Sequence, residues 1–302
     1  MKVIILGGAG LIGRALAEDL ARGGHEVIAL TRRQQPPERS LKGIRFEQWD
    51  GKSAQGWGHL ANNADAIVNL AGENLSAGRW TPERKQRIID SRVNAGAAVV
   101  QAIQQASTKP KMLLQISGIG AYGVSESETF NETSPYGNDF LAGVTRQWED
   151  STNAVEALGV RRVVARTGVV LSNAGGAFPR MLLPFKLFIG GPLGSGRQWL
   201  SWLHVDDQVR ALRLLIENQQ ARGVYNLSAA PVTNRQFSQA LGKVMRRPAF
   251  FPVPAFAIRL LFGEMGTLVL DGQRATAQRL ADLGFEFRFP DIETALKNLV
   301  TF

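Results

Sequence analysis

Short runs of apolar residues alternate with longer amphipathic stretches along most of the chain, and this alternation predicts strands and helices in turn. Runs rich in Val, Ile and Leu that are bounded by Gly, Pro or Asn are typical of strands buried on both faces of a parallel sheet. Such runs occupy residues 3–6, 27–30, 44–49, 64–72, 112–116, 161–167 and 223–228. Strands that alternate with helices in this way predict an α/β fold built on a doubly wound parallel sheet.

Helices are predicted where apolar residues recur at intervals of three and four. The clearest one starts at Thr81-Pro82-Glu83, because Thr is a good N-cap, Pro suits the first helical position and an acid lies in the first turn. We expect this helix to run to Ala106. The other predicted helices cover residues 11–22, 178–187, 206–217, 234–245 with Asn234 as its cap, 254–262 and a final segment that begins at Asp291.

Three glycines occupy the junction between the first strand and the first helix. Gly7 allows a tight turn, Gly10 lets backbone N–H groups approach phosphates, and Gly13 lets the helix pack on the strand. Leu11 and Ile12, between the last two glycines, belong to the same predicted site. A plain glycine-rich turn is the alternative, but the flanking strand–helix–strand pattern favours binding of a dinucleotide.

The second strand ends in Thr31-Arg32-Arg33, where an NAD site usually carries an acidic residue for the ribose 2′-hydroxyl. No acid is present there. A hydroxyl followed by two guanidinium groups suits a 2′-phosphate, since charge-assisted hydrogen bonds to phosphate are strong. The alternative is a pair of solvated arginines. The sequence therefore favours NADP(H) over NAD(H).

The fourth strand ends in Leu70-Ala71-Gly72, where small residues would let the backbone lie against a cofactor. Glu73 follows at once. Its carboxylate could bind a ribose or substrate hydroxyl, or it could simply order the loop. On the helix after this loop, Arg92 does not belong to the apolar face, and the residue pattern alone leaves its role open.

The composition limits the kinds of catalytic site and ligand that the protein can have. The 302-residue chain has no Cys and only three His, which excludes thiol nucleophiles and disulfides and argues against a zinc site. Its 35 Lys and Arg exceed 26 Asp and Glu, but the excess is spread along the chain, which favours an anionic small molecule over nucleic acid. No apolar run would span a bilayer and no leader-like segment is found, so we expect no membrane partner and a cytoplasmic location.

A set of longer motifs extends over almost the whole chain. They are Gly7-x-x-Gly10-x-x-Gly13, Asn69-Leu-Ala-Gly-Glu73, Ser117-Gly-Ile-Gly-Ala-Tyr-Gly123, Trp148-Glu149, Arg166-Thr-Gly-Val-Val-Leu171, Met181-Leu-Leu-Pro-Phe185, Gly190-Gly-Pro-Leu-Gly-Ser-Gly196 and Leu203-His-Val-Asp-Asp207. Together they resemble the extended short-chain dehydrogenase/reductases and, more closely, the atypical, epimerase-like (YfcH-type) subgroup of that superfamily.

The resemblance implies a Rossmann-type NADP-binding domain and a small α/β C-terminal substrate domain. We expect residues 1–170, with 204–228 returning, to form the first, and residues 171–203 and 229–302 the second. The resemblance also implies Thr31 and Arg32 at the adenosine 2′-phosphate, Leu70 and Ala71 beside the cofactor, and Arg92 at a cofactor phosphate or ribose.

The chain departs from the superfamily at its proton-transfer pair, Tyr-x-x-x-Lys. None of its three tyrosines is followed by Lys four residues later, and alignment on Trp148-Glu149 puts Leu141 and Thr145 at the two positions. Ser117 matches the hydroxyl that orients a substrate carbonyl in the family. Tyr122 is the first candidate for a replacement proton donor, with packing or substrate stacking as its alternative. The weaker candidates are Glu73 and His204, the latter with an alternative role at the start of a helix.

Three functions remain open from the sequence. The first is an NADP(H)-dependent oxidoreductase or epimerase-like enzyme acting on a small substrate, with nucleotide- or phosphate-bearing compounds among the candidates. The second is a non-catalytic sensor of NADP(H), which would tolerate loss of the Tyr–Lys pair. The third is a structural or nucleic-acid-associated protein that uses the net charge of +9. Substrate identity and oligomeric state are not decided by the sequence.

Overall fold

A computed structural model describes residues 1–32 and 43–300 of the chain. Its strands, in chain order, are β1 (Lys2–Leu6), β2 (Glu26–Thr31), β3 (Ile44–Gln48), β4 (Ala66–Asn69), β5 (Met112–Gly118), β6 (Thr129–Phe130), β7 (Arg161–Thr167), β8 (Val169–Leu171), β9 (Trp199–Leu200), β10 (Trp202–His204), β11 (Gly223–Leu227), β12 (Val232–Thr233) and β13 (Arg274–Ala275).

The helices connect and cover these strands. They are α1 (Leu11–Arg22), α2 (Pro82–Gln105), α3 (Phe140–Asp150), α4 (Phe178–Lys186), α5 (Val205–Glu217), α6 (Asn234–Met245), α7 (Ala255–Phe262), α8 (Thr267–Leu270), α9 (Gln278–Asp282) and α10 (Ile292–Leu299), with 3₁₀ turns at Gly58–Ala61, Ile119–Tyr122, Asn153–Leu158 and Gly263–Gly266.

Seven strands form one parallel sheet in the order β11-β7-β5-β4-β1-β2-β3. The order reverses at β1, because the chain first adds strands on one side of it and then crosses to the other. A doubly wound sheet of this order is the Rossmann arrangement. The predicted α/β Rossmann-type fold is confirmed, and all seven predicted strands belong to this sheet.

Side chains alternate between the two faces of β1, and each face has its own core. Val3 and Ile5 pack with α1 and α5 on one face. Ile4 and Leu6 pack with α2 on the other. Each of these side chains is fully buried, as expected for a central parallel strand covered on both faces. The apolar runs of the sequence are thereby explained.

The helix predictions hold with one correction. Thr81 caps α2 and accepts from the Arg84 N–H at 3.2 Å, as its sequence predicts. The cap of α6 is Thr233, which forms a capping box with Gln236, and not Asn234. The Asn234 side chain instead accepts from the N–H of Leu193 at 2.8 Å and holds the glycine-rich loop against the helix.

A smaller apolar core lies beside the sheet and is built from α4, α6 and α10. The division of the chain into the two predicted domains stays a prediction. The segment after β13 contributes to both cores, because Leu280 and Phe285 pack into the core of the large sheet while α10 packs into the smaller one. Asp207 of α5 ties this segment down, since its buried carboxylate accepts from the backbone N–H groups of Arg288 and Phe289, both at 2.9 Å.

Candidate functional site

A first cleft opens at the carboxyl ends of β1, β2 and β4. It has a volume of about 540 Å³. In doubly wound sheets ligands bind at this edge, where the strand order reverses. Eight of the predicted cofactor residues line it together with five others, and the full lining is Gly7, Ala9, Gly10, Leu30, Thr31, Arg32, Trp49, Gly51, Leu70, Ala71, Gly72, Glu73 and Ser91.

The glycine loop has the shape its sequence predicts. Gly7 has φ +77°, which L side chains rarely adopt, and a Cβ there would lie 3.0 Å from the Leu70 carbonyl oxygen. Gly10 is the N-cap of α1, and no side chain caps this helix. A Cβ on Gly13 would lie 2.3 Å from the Gly7 oxygen, so only glycine lets the helix come this close. The first-turn N–H groups of α1 therefore remain available to an anion.

The two residues between these last glycines have different surroundings. Leu11 places a side-chain methyl 3.0 Å from the position that a Cβ on Gly176 would occupy, so it contacts the loop after β8. Ile12 packs against the core beneath the sheet.

The end of β2 contributes one buried and one exposed side chain to the first cleft. Thr31 is buried and Arg32 is exposed, and both line the cleft. The Arg32 side chain passes 3.0 Å from the position of a Cβ on Gly51, across the cleft edge from β2. Arg33, predicted to be the second guanidinium, lies outside the described residues. An exposed guanidinium at this place can meet a phosphate without being desolvated first.

The turn after β4 is held in place by buried amides. The Leu70 N–H donates to Leu6 at 3.0 Å, and the Ala71 N–H donates to the Asn69 side chain at 3.2 Å. Asn69 in turn donates to Gln115 at 2.9 Å. This chain of hydrogen bonds fixes the backbone of the turn against the sheet, so the wall of the first cleft is rigid before any ligand binds.

Glu73 has a loop-ordering role that the sequence left as one of two alternatives. Its carboxylate accepts a hydrogen bond from the Arg84 guanidinium and lies 3.8 Å from that of Arg87. Arg84 also donates to the Asn74 carbonyl at 2.5 Å. The residue still lines the first cleft, so a contact with a ribose is compatible with this pairing.

Arg92 lies between the first cleft and a second one. Its guanidinium carbon is 3.1 Å from the position of a Cβ on Gly72, which lines the first cleft, and Arg92 itself lines the second. It donates to the carbonyl oxygens of Glu73 at 3.2 Å and Ile88 at 3.0 Å and stacks over Trp148 at 4.7 Å. Burial lowers the pKa of Arg92 to about 10, with the charge of Glu73 acting in the opposite direction.

The second cleft has a volume of about 300 Å³ and lies between α3, the ends of β5 and β7, and residues 264–273. Leu141 and Thr145, at the positions of the missing Tyr and Lys, both line it. The Thr145 hydroxyl donates to the backbone oxygens of Leu141 at 3.0 Å and Ala142 at 2.9 Å. The two positions thus face the cavity as the alignment implies, but neither offers a group able to exchange a proton.

Ser117 is not among the lining residues of the second cleft. Its hydroxyl, at the end of β5, donates to the Glu149 carboxylate at 2.6 Å. Glu149 also accepts from Arg166 at 2.8 and 2.9 Å and from the Tyr136 hydroxyl. Arg166 and Glu149 form an ion pair in which each side chain is only 4% exposed.

Tyr122 is buried away from both clefts. Its hydroxyl donates to the Asn226 side chain at 2.7 Å, and its ring stacks on Phe130 at 5.3 Å and lies beneath the Arg166 guanidinium at 5.0 Å. Burial raises the pKa of Tyr122, which the charge of Arg166 opposes. This placement favours the packing alternative over proton donation.

His204 caps α5, as the alternative interpretation of its motif predicts. Its Nδ1 accepts from the Asp206 N–H at 3.0 Å, and its ring lies 4.0 Å from that of Phe289. Burial lowers the pKa of His204, with Asp206 and Asp207 acting in the opposite direction. No group of three or more His, Asp or Glu side chains in residues 1–32 and 43–300 is arranged to hold a metal ion. Within the same residues, no helix combines the length and apolar character needed to cross a membrane.

Sequence reasoning missed two features of this site. Glu149 and Arg166 were recognised as parts of motifs but were given no role, although they form the buried pair behind the second cleft. Asp271, which lines that cleft, belongs to no motif. Its only local signal is its position before Gly272 at the end of a short helix, and that signal is common to many loops.

Comparisons with known proteins agree with this architecture. The model of the NAD dependent epimerase/dehydratase family matches residues 3–228, and a domain of unknown function (DUF1731) matches residues 253–299. The epimerase family protein YfhF of Bacillus subtilis is 40% identical over 302 residues, which cover 99% of this chain and 98% of the relative.

Two solved structures extend the comparison. The human epimerase family protein SDR39U1 (isoform 2), crystallised with NADPH, is 34% identical with a TM-score of 0.88, and the match covers 99% of both chains. A nucleoside-diphosphate sugar epimerase from Corynebacterium glutamicum is 32% identical with a TM-score of 0.78, and the match covers 99% of this chain and 58% of that one.

Proposed function

The chain belongs to the NAD-dependent epimerase/dehydratase family, and from this premise we propose that it is an NADP(H)-dependent oxidoreductase acting on a small molecule in the second cleft. The resemblance to the atypical, epimerase-like short-chain dehydrogenase/reductases is confirmed by the same relatives. The observation that carries the proposal is the pair of clefts at one sheet edge, separated by Arg92.

The first cleft suits the adenosine and pyrophosphate parts of the cofactor. The open N-terminus of α1 would bind the pyrophosphate through its backbone N–H groups and its positive dipole end. Leu70, Ala71 and Gly72 would lie along the cofactor, and Arg92 would reach a phosphate or ribose at the passage to the second cleft.

NADP(H) is favoured over NAD(H) by the end of β2. Thr31 and Arg32 occupy the place where the 2′ position of the adenosine ribose would lie, and neither carries a negative charge that would repel a phosphate. The NADPH present in the human relative supports the same preference. The donor set of the first cleft therefore fits the phosphorylated cofactor.

The nicotinamide, when bound, supplies the acceptor or donor of hydride. This chain's residues would position it and exclude water, because the second cleft is walled by Leu141, Val144 and Trp148. The Tyr–Lys mechanism is not available, since Leu141 and Thr145 occupy the two positions. The catalytic roles predicted for Ser117 and Tyr122 stay predictions, and neither side chain lines the second cleft.

A non-catalytic NADP(H) sensor is the second candidate. It is favoured by one observation, namely that both positions of the proton-transfer pair face the cleft and carry groups without proton-exchange chemistry. A sensor needs the first cleft and has no use for a shaped second cleft. The presence of that cleft supports the enzyme.

Cofactor titration followed by a turnover screen tests the proposal. NADPH bound to the purified protein is measured by its fluorescence, and the loaded protein is then screened for NADPH oxidation with a library of aldehydes and ketones. We expect tight NADPH binding and turnover with at least one carbonyl compound. Binding without turnover across the library would favour the sensor, and absence of binding to both NADPH and NADH would refute both candidates.

A further inference from the structure

The second cleft is lined mainly by apolar and aromatic side chains. Trp80 and Trp148 are each more than nine-tenths buried, Phe140 packs edge-on against Trp80 with ring centres 5.0 Å apart, and Trp199 lies opposite α3 in the lining. The indole N–H of Trp148 has no hydrogen-bond partner among the described residues. Aromatic walls of this kind bind flat apolar groups by stacking and burial.

The side chains that line the second cleft carry a net negative charge, whereas the net charge of the whole protein is positive. The chain carries a net charge of +9, yet the charged side chains that line the cleft in the described part of the chain are three acids, Asp139, Glu264 and Asp271, and one base, Arg92. The Arg92 guanidinium is already bonded to two backbone carbonyl oxygens and stacked on Trp148. A negatively charged substrate would therefore meet more carboxylates than available cations.

Only one of these carboxylates lacks a hydrogen bond and an ion pair in the described part of the chain. Asp139 caps α3 and accepts from the Ala142 N–H at 2.8 Å, and Glu264 is paired with Lys85. For the carboxylate of Asp271 we find no hydrogen bond or ion pair among residues 1–32 and 43–300. Burial raises the pKa of Asp271, and Asp139 acts in the same direction while Arg259 opposes them. A ligand that donates a hydrogen bond or carries a positive charge would pair with this half-buried carboxylate.

The size of the second cleft limits the size of the substrate. A volume of about 300 Å³ lies at the lower end of small-molecule sites, which typically span about 300–1,000 Å³. On the proposed function the nicotinamide ring must share this space with the substrate. A nucleotide with a sugar attached would therefore have to extend out of the cleft.

We propose that the second cleft takes a small, flat, largely apolar substrate bearing a hydrogen-bond donor or a cationic nitrogen, and that Asp271 binds this polar end. The inference rests on the proposed function, because it concerns the substrate of the same site. It replaces the prediction of an anionic substrate, because Arg92 is the only cation among the described residues that line the cleft and its guanidinium is already bonded to two carbonyl oxygens.

Two arginines lie near Trp199, and neither lines the cleft. Arg274 stacks over the Trp199 ring at 4.7 Å, and Arg197 is paired with Glu126 at 3.2 Å. To bind a diphosphate at the mouth of the cleft, Arg274 would have to leave the Trp199 ring and Arg197 would have to leave the Glu126 carboxylate. A nucleotide sugar is thus the competing ligand class that the experiment must include.

Calorimetric titration of the NADPH-saturated protein compares three probes of different chemistry. Tryptamine is flat, apolar and cationic, indole is flat with a neutral N–H donor, and UDP-glucose is an anionic nucleotide sugar. We expect tryptamine to bind at least tenfold more tightly than UDP-glucose, with indole in between. Tighter binding of UDP-glucose than of tryptamine would overturn the inference.

Two variants identify the groups responsible. Asp271→Asn should weaken tryptamine binding about tenfold and indole binding less, whereas Trp199→Ala should weaken both. Asp90→Asn, on the exposed face of α2, is the matched control and should change neither. Equal tryptamine affinity in the Asp271→Asn variant and the unaltered protein would contradict the role of Asp271.

The cofactor titration separates the two proposals. NADPH binding with no affinity for either aromatic probe would overturn only the substrate class. Failure to bind NADPH would refute the proposed function, and the probe titrations, repeated on the protein without cofactor, would still decide whether the cleft prefers flat cations.

Discussion

The Ser117 hydroxyl donates a 2.6 Å hydrogen bond to the carboxylate of Glu149. This contact fixes the end of β5 to α3, the helix that carries the two positions of the missing Tyr–Lys pair. The same carboxylate holds Arg166 of β7, so one buried acid joins three elements at the back of the second cleft. In this structure the serine supports the wall of the cleft, and its role in orienting a substrate carbonyl stays a prediction.

Replacing Glu149 should therefore destabilise the protein strongly. Glu149→Gln leaves the Arg166 guanidinium buried without a counter-charge, and breaking such pairs typically costs about 3–5 kcal/mol. Urea unfolding followed by circular dichroism measures the change. The control is Glu156→Gln, whose side chain is 58% exposed and 3.8 Å from Arg162, and it should cost less than about 1 kcal/mol. Similar losses in the two variants would contradict the prediction.

The cofactor preference should depend on Arg32. If its guanidinium binds the 2′-phosphate, Arg32→Ala removes a charge-assisted hydrogen bond of about 1.5–3 kcal/mol and lowers NADPH affinity roughly ten- to hundredfold. NADH affinity should stay unchanged. Fluorescence titration of both cofactors measures the difference, with Arg45→Ala on the neighbouring strand as the control. An equal loss for NADPH and NADH would show that Arg32 does not read the phosphate.

Substitutions of Gly10 and Gly13 should have different effects on NADPH affinity and on the stability of the fold. Gly10 has φ −75°, which alanine adopts freely, but a Cβ there would lie 3.1 Å from the Gly7 oxygen, so Gly10→Ala should cost about 1 kcal/mol in stability, less than Gly13→Ala. Its methyl group would nevertheless stand where the pyrophosphate approaches the backbone, and NADPH affinity should fall at least about tenfold. Gly13→Ala is the matched variant. Its Cβ would lie 2.3 Å from the Gly7 oxygen, so it should lower the melting temperature even without cofactor.

Alkaline pH should weaken the fold through Tyr136. Burial, together with its hydrogen bond to Glu149, raises the pKa of Tyr136 to about 12 from the ordinary value near 10. A raised pKa means that the folded state favours the protonated phenol. The protonated Tyr136 phenol contributes fully to the free energy of unfolding below about pH 10, and this contribution is lost as pH rises from about 10 to 12.

Ultraviolet titration of the phenolate signal measures this ionisation. In the Tyr136→Phe variant the phenolate signal near pH 12 should lose the amplitude of one tyrosine, and the loss of stability between pH 10 and 12 should become shallower. Tyr122→Phe serves as the comparison because it keeps the Tyr136 contact with Glu149 intact. A phenolate signal near pH 12 of unchanged amplitude in Tyr136→Phe would refute the assignment.

Tyr122→Phe should alter stability and spare turnover. The variant keeps the ring stacked on Phe130 but leaves the buried Asn226 oxygen without this donor, at a cost of about 1–3 kcal/mol. NADPH binding and any turnover found in the carbonyl screen should be retained at a temperature well below unfolding. Complete loss of turnover with unchanged stability would restore Tyr122 as the proton donor.

The sequence predicted the large sheet well because each of its strands carries a local signal. Strands buried on both faces are short apolar runs, and β1 and β7 stand out without knowledge of their neighbours. The cap of α6 was misassigned because Thr233 and Asn234 are both good caps, and the choice depends on Leu193 in a distant loop.

The candidate site was predicted only where it is local in sequence. The glycine loop and the end of β2 are contiguous motifs, so their chemistry can be inferred from spacing. Asp271 comes to the second cleft from a segment more than 120 residues beyond Thr145, and no local pattern distinguishes it from an ordinary loop carboxylate. The role of Glu149 likewise depends on Arg166, which reaches it only after the sheet has formed.

The bonds from Asp207 to the backbone of Arg288 and Phe289 have a consequence for biosynthesis. While the ribosome is still translating the last third of the chain, this carboxylate can pair with Arg210 of its own helix but not yet with these backbone groups, and the core lacks Leu280 and Phe285. The nascent sheet therefore stays partly uncovered until residues 280–289 have been translated. Shielding by chaperones should matter most in that interval.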